Sequence, residues 1–385
     1  MKIAFDIRRI ADFGVGTYIR NVVRTLATLD AANQYLLLGQ EAHFRALGSL
    51  PESFSHLPYD LPESSPRNLW EFSAALKRVG CDLVHVPHLA GLPQRFPCRY
   101  VVTVHDLLAY MVAWQSGSAW RRALNFRFTR RLLRRAGRVL AVSHFTKSEI
   151  ERYFRLPAEQ VEVVYNAIDE RFQRGHASDA DRRFIAERYQ VQHPFLLYAG
   201  NIKPHKNIVR IIEAFSALKG ELQKEGKFED LKLIIIGDEL SQHPDLRRTV
   251  IRSGVQNDVR FLGFVPIEVL RIFYDAAKIF VFPSLYEGFG LPPLEAMAHG
   301  TPVVTSNSSS LPEVVGSAAV LVNPENVFEI RNALQRVLLD QELRERLKQR
   351  GYEQAGRYSW ELSARRILQV YEEVGRQAKS RAAAA

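Results

Sequence analysis

Two carboxylates eight positions apart, Glu287 and Glu295, bracket the turn Gly288-Phe289-Gly290-Leu291-Pro292-Pro293. The run Lys278 to Pro283 before it is rich in β-branched and aromatic residues. Leu291 to His299 after it has helical apolar spacing, with prolines near the start and Gly300 as a stop. A strand thus hands over to a helix through glycines. Such a junction leaves backbone N–H groups unpaired at the positive end of the helix, where an anion such as a diphosphate is favoured. Carboxylates would repel that anion, so hydroxyl groups are their natural partners, and a sugar on each side of a diphosphate describes a sugar nucleotide. A plainer reading makes Glu295 a complement to the helix dipole and Glu287 a solvated loop residue. The segment alone leaves both readings open.

Further candidates stand where apolar strands end. After Phe195 to Tyr198 comes Gly200-Asn201-Ile202-Lys203-Pro204-His205-Lys206-Asn207, a tight basic loop before a helix and a natural clamp for a diphosphate leaving group. After Val101 to Val104 comes His105-Asp106, an imidazole that titrates near neutrality and can exchange hydrogen bonds with a reacting sugar. His85 and His88, in or just after the preceding strand, either line the same cleft or are structural. Gly14-Val15-Gly16-Thr17-Tyr18 follows the first strand and allows close approach of backbone to a phosphate or sugar, although it lacks the third glycine of the dinucleotide fingerprint. Asp179-Ala180-Asp181 has the spacing of a metal-binding Asp-x-Asp, but it falls in a polar stretch without further oxygen ligands, so no metal is assigned to it.

Positioning these residues requires alternating strands and helices. The first half reads as strands at Lys2–Ile7, Tyr35–Leu38, Leu83–Val86, Tyr100–Val104, Val139–Val142 and Val161–Tyr165 with helical segments between them; the second reads as strands at Phe195–Tyr198, Leu231–Ile236, Arg260–Leu262, Ile279–Phe282, Pro302–Thr305 and Ala319–Val322. This alternation means parallel β-α-β units, hence two doubly wound, Rossmann-like domains facing a central cleft. The expected division is an acceptor-binding domain over 1–170, a polar connector over 171–193 and a nucleotide-binding domain over 194–359, with a last helix near 360–378 packing back on the first domain.

At 385 residues the chain exceeds one ordinary core, and 46% hydrophobic with 24% charged residues describes a soluble globular protein. The charged opening is a first strand rather than a signal peptide, no apolar run is long enough to span a bilayer, and two cysteines make no disulfide scaffold, so a cytoplasmic location is expected. Ala382 to Ala385 read as a tail. The net charge of +10 suggests an anionic partner. Eight arginines and no acid lie between Trp120 and Arg138, interleaved with Trp120, Leu124, Phe128 and Leu132. That stretch is a basic amphipathic helix, which either lies on anionic lipid headgroups or packs its apolar stripe into its own domain. A nucleic-acid-binding protein is the non-enzymatic alternative, but the charge is concentrated in this one helix and no binding module accompanies it.

Taken together, Gly14 and Gly16, Val104-His105-Asp106, Ala141-Val142-Ser143, Tyr165 to Asp169, Gly200 to Asn207, Gly263-Phe264-Val265 and above all the two-glutamate motif resemble glycosyltransferase family 4, retaining enzymes of the GT-B fold. The resemblance spans nearly the whole chain. It implies that Glu287 holds donor-sugar hydroxyls, that Glu295 binds the ribose, and that backbone around Phe289, Gly290 and Leu291, helped by Lys206, holds the diphosphate. It further implies that Val265 and its loop contact the base, that His105 faces the donor sugar, and that Gly16 lets the first loop approach donor and acceptor. Where many relatives carry arginine this chain has Asn201 and His205, with Lys203 as a candidate replacement. The implied activity is transfer of a hexose with retention and without an essential metal or other cofactor. Mannose from GDP-mannose is the first expectation and a UDP-sugar the alternative, followed by a sugar-nucleotide epimerase. A glycan or lipid-linked acceptor in surface polysaccharide synthesis is implied, with a peripheral position on the inner membrane face; acceptor contacts and oligomeric state are not assigned.

Overall fold

The computed structural model describes every residue except 94, 114–118, 174, 239 and 384–385. The last two alanines read as a tail therefore lie outside the described residues. The chain divides into two compact units, one of Met1–Asn166 with Ser359–Ala385 and one of Ala167–Tyr358.

The first unit is built on seven parallel strands: β1 (Lys2–Asp6), β2 (Gln34–Gly39), β3 (Phe54–Pro58), β4 (Leu83–Val86), β5 (Arg99–Val104), β6 (Arg138–Ala141) and β7 (Val161–Val163), in the order β3-β2-β1-β4-β5-β6-β7. Helices on both faces bury the central strands, which accounts for their near-continuous apolar runs. β3 and the helix Asn68–Val79 escape the sequence reading. β3 is an edge strand that ends in Pro58 and carries Ser55 and His56, so it lacks the continuous apolar signal of its buried neighbours. The long helix Trp360–Ala383 belongs to this unit. Its Ser363 hydroxyl donates to the Tyr165 carbonyl at 2.6 Å, its Arg366 Nε donates to Glu162 Oε1 at 2.8 Å, and its Glu373 takes a 2.6 Å hydrogen bond from Arg138.

The basic helix runs over Ala119–Arg135, so Arg138 is the first residue of β6 instead of its last turn. The expected apolar stripe divides. Leu132 and Leu133 are buried in the core of the unit, whereas Trp120 and Leu124 are 63% and 61% exposed.

The second unit carries six parallel strands: β8 (Phe195–Ala199), β9 (Lys232–Ile236), β10 (Val259–Gly263), β11 (Ile279–Phe282), β12 (Val303–Ser306) and β13 (Ala319–Val322), in the order β10-β9-β8-β11-β12-β13. Chain order reverses between β8 and β11, so the helices that follow them pass to opposite faces of the sheet and leave a crevice beyond the carboxyl ends of the two strands. The polar stretch read as a connector contains a helix, Asp179–Arg188. Ser178 caps it by accepting from the Asp181 amide while the Asp181 carboxylate takes the Ser178 N–H. Asp181 is thereby committed to a capping box, which gives the Asp-x-Asp a local purpose.

Candidate functional site

The loops after β8 and β11 meet at the switch point and are sewn together by hydrogen bonds. Asn207 is buried in the left-handed conformation, φ 63°, and its Nδ2 donates to the carbonyls of Pro283 at 2.9 Å and Pro324 at 2.6 Å. The His205 carbonyl accepts from the Leu285 amide at 2.7 Å and from the Ser284 hydroxyl at 3.0 Å. This stitching brings Lys206 Nζ to 2.5 Å from Glu287 Oε1, in a pair only 11% and 12% exposed, with the Phe282 ring 5.2 Å from the ammonium. Two groups eighty-one positions apart thus form one charged unit. Burial and the neighbouring Lys206 charge push the His205 imidazole down to about 4, so it is neutral at pH 7 and leaves the cationic role to the lysine.

Close backbone contacts support the β8 loop. Gly200 has φ 150°, and a Cβ on Gly237, just after β9, would lie 2.1 Å from the Gly200 carbonyl oxygen. Asp238 Oδ2 accepts from the Ile202 amide at 2.7 Å, and the Asn201 carbonyl accepts from the Tyr198 hydroxyl at 2.9 Å. Lys203 is exposed.

Beyond Glu287 the chain turns through Gly290, φ 106°, into the helix Leu291–Ala298. Prolines occupy positions 292 and 293 and have no N–H, so the unpaired amides of this first turn narrow to those of Gly290 and Leu291. Glu295 lies one turn into the helix and accepts from the Tyr274 hydroxyl at 2.9 Å. Burial, opposed by that hydrogen bond and reinforced by Asp169, pushes its carboxyl up to about 7. In the unfolded chain the proton leaves near the ordinary 4.5. Unfolding therefore releases a proton between about pH 4.5 and 7, and stability falls as pH rises through that window, with the full cost of the buried charge above it. The expected result is that Glu295→Gln flattens this part of the stability profile, measured as the urea midpoint against pH. An unchanged slope would remove Glu295 as its cause.

The loop after β10 is the one expected to contact the base. Val265 is 4% exposed, so its side chain belongs to the core, while the adjoining Phe264 is 72% exposed after Gly263 at φ 67°. Phe264 and Pro266 are the side chains that this loop exposes.

In the first unit His105 follows β5 directly and is half-buried. One ring nitrogen is hydrogen-bonded to the Pro87 carbonyl, and Nε2 is shielded from solvent without a partner. Burial, with the nearby His88 adding to it, pushes the imidazole down to about 4, leaving a neutral ring edge-on to Tyr18 at 5.0 Å. His85 is a core residue, fully hydrogen-bonded to Tyr371 at 2.6 Å and Thr103 at 2.8 Å. His88 is held between Asp6 at 3.0 Å and Glu63 at 3.2 Å. Gly14 is exposed at the start of the helix Val15–Leu29, whereas Gly16 is buried, and a Cβ there would meet the Ile10 carbonyl at 2.3 Å. The need for glycine at 16 therefore has a source within its own loop.

Asp238 and the serines after β12 are the supporting residues that sequence reasoning missed. For Asp238 a signal existed in Gly237-Asp238 immediately after the apolar run Leu233 to Ile236, the same strand-to-turn grammar used for the other loops.

Two doubly wound parallel sheets with loops of this kind at the second switch point define the GT-B class. The likeness to solved structures agrees at the level of fold: sucrose-phosphate synthase from Thermosynechococcus elongatus is 22% identical with a TM-score of 0.75, covering 97% of this chain and 99% of that one. Anabaena HepE, solved in complex with UDP and glucose, is 20% identical with a TM-score of 0.75 and the same coverages. Residues 14–172 match the profile of Glycosyltransferase Family 4, and residues 181–354 match that of Glycosyl transferases group 1. The chain belongs to this glycosyltransferase family. Among curated relatives, O-antigen chain mannosyltransferase B of Escherichia coli is 37% identical over 234 residues, or 60% of either chain. The match thus spans less than two thirds of that relative's own length. No helix among the described residues is long and apolar enough to cross a membrane.

Proposed function

We propose that this chain is a retaining glycosyltransferase that moves a hexose, mannose from GDP-mannose, to a hydroxyl of a glycan or lipid-linked acceptor in surface polysaccharide synthesis. The observation that carries the reading is the Lys206–Glu287 pair beside the free amides of Gly290 and Leu291, with Glu295 one turn further on. An anion, flanked by groups that accept from hydroxyls, fits that arrangement. The bond from the anomeric carbon to the diphosphate breaks, the acceptor hydroxyl bonds to that carbon from the same face, and its proton passes to a departing phosphate oxygen. Lys206 and the helix amides meet the charge that develops, so the proposed reaction calls for no metal. The mannosyltransferase relative favours mannose; the UDP-bound structural neighbour keeps a UDP-sugar as the second reading.

A panel of GDP- and UDP-sugars, scored for binding and slow hydrolysis, tests the proposal. One sugar nucleotide is expected to bind and hydrolyse above the rest, and failure of every member to bind would contradict the reading. A peripheral position on an anionic membrane also fits, because exposed Trp120 and Leu124 share their helix with exposed Arg127, Arg131, Arg134 and Arg135. Co-sedimentation with phosphatidylglycerol vesicles but not phosphatidylcholine vesicles is the expected outcome; no sedimentation with either at low salt would overturn it.

A further inference from the structure

The loop after β12 breaks two local rules in consecutive residues. Ser310 precedes the short helix Leu311–Val315, where a serine ordinarily accepts from an amide of its own first turn, yet it makes no such cap. It is fully buried, and its hydroxyl is instead placed 2.9 Å from the Glu287 carbonyl and 2.7 Å from the Phe289 carbonyl, more than twenty residues back along the chain. Ser309 stands at φ 55°, a strained conformation for a residue with a Cβ, and its Oγ accepts from the Glu287 amide at 3.1 Å. Leu311 completes the contact, since a Cβ on Gly290 would lie 2.7 Å from its Cδ2. An unused cap and a strained residue side by side show a turn shaped by something other than its own stability.

What that turn shapes follows from peptide geometry. In a trans peptide the C=O and the next N–H point in opposite directions. Drawing the Phe289 carbonyl toward Ser310 therefore turns the Gly290 amide away from Ser310. The Glu287 main chain is held at its N–H by Ser309, and its C=O shares the single Ser310 hydroxyl proton with the nearer Phe289 carbonyl, which restrains the origin of the side chain that pairs with Lys206.

We infer that Ser309 and Ser310 are positioning residues for donor binding that do not touch the ligand: Ser310 sets the direction of the Gly290 amide, and hence the grip on the diphosphate, and Ser309 anchors the same turn two residues earlier, at the Glu287 amide. The inference rests on the sugar-nucleotide reading of this site and deepens it. It predicts a selective loss. A nucleoside monophosphate gains less from that amide than a diphosphate does, so a merely structural defect would weaken both alike whereas a misdirected amide weakens the diphosphate more.

The test is calorimetric titration of GDP, GMP, UDP and UMP into wild type, Ser310→Ala and Ser309→Ala, with thermal unfolding of each protein. For the base that wild type binds, Ser310→Ala is expected to weaken the diphosphate by about tenfold or more and the monophosphate by less than about twofold, at a similar unfolding midpoint. Ser309→Ala loosens the same turn at the Glu287 amide and is expected to show the same selectivity in weaker form, about threefold on the diphosphate with the monophosphate unchanged; because Ser309 is only half-buried it decides the matter if Ser310→Ala does not fold. Equal losses on both nucleotides, or no loss on the diphosphate, would overturn the inference while leaving the sugar-nucleotide reading intact. Wild type binding neither diphosphate would overturn that reading, and the inference with it.

Discussion

Lys206→Ala is expected to lower kcat by a factor of about 10² to 10³, the usual consequence of removing one group that stabilises charge in a transition state. Lys206 is the cation held against the β11 loop, whereas Lys203 is exposed to solvent and His205 is neutral at pH 7. A neighbour therefore has little means of replacing it. The substitution also leaves the shielded Glu287 carboxylate without its partner, which lowers stability because an unpaired, partly buried charge is costly. Turnover is best measured well below the unfolding midpoint of the variant, so that the two effects separate. Activity within about fivefold of wild type in a folded variant would remove Lys206 from the catalytic machinery.

Glu287→Ala is expected to cut sugar transfer by about 10² or more, with an opposite effect on the nucleotide alone. If the carboxylate accepts from hydroxyls of the donor sugar, its loss weakens the intact sugar nucleotide. It also removes a negative charge from beside the diphosphate and frees Lys206, so the bare nucleoside diphosphate binds as well as before or better. A side chain that served only to hold Lys206 in place would give parallel losses on both ligands. Comparing GDP with GDP-mannose, and UDP with UDP-glucose, distinguishes the outcomes. Unchanged transfer by a folded Glu287→Ala protein would contradict the assignment.

The strands nearest the site were legible because they are buried on both faces: Phe195 to Tyr198, Leu233 to Ile236 and Ile279 to Phe282 carry unbroken apolar runs that end in Gly or Pro turns. The turn residues Gly200, Gly290 and Asn207 then mark where chain direction changes, and the structure gives each a positive φ. The couplings between loops were not legible. Nothing in local spacing ties Lys206 to Glu287, and Ser310 reads from its sequence position as an ordinary helix cap although its hydroxyl serves a different loop. Periodicity reports which face of an element is buried, whereas these contacts depend on which strands become neighbours. The same limit applies to the basic helix. Its arginines and apolar residues were countable, but the division between buried Leu132 and exposed Trp120 and Leu124 depends on how far the body of the unit extends beneath it.

The stereochemistry of the released sugar tests the central claim most directly. With GDP-α-mannose, or whichever α-linked sugar nucleotide the panel selects, NMR of the first product formed, before mutarotation, reports which face of the anomeric carbon was attacked. The account predicts the α-anomer, with the configuration retained and the rate falling in Lys206→Ala. Initial formation of the β-anomer would contradict it, because inversion requires attack from the face opposite the departing diphosphate.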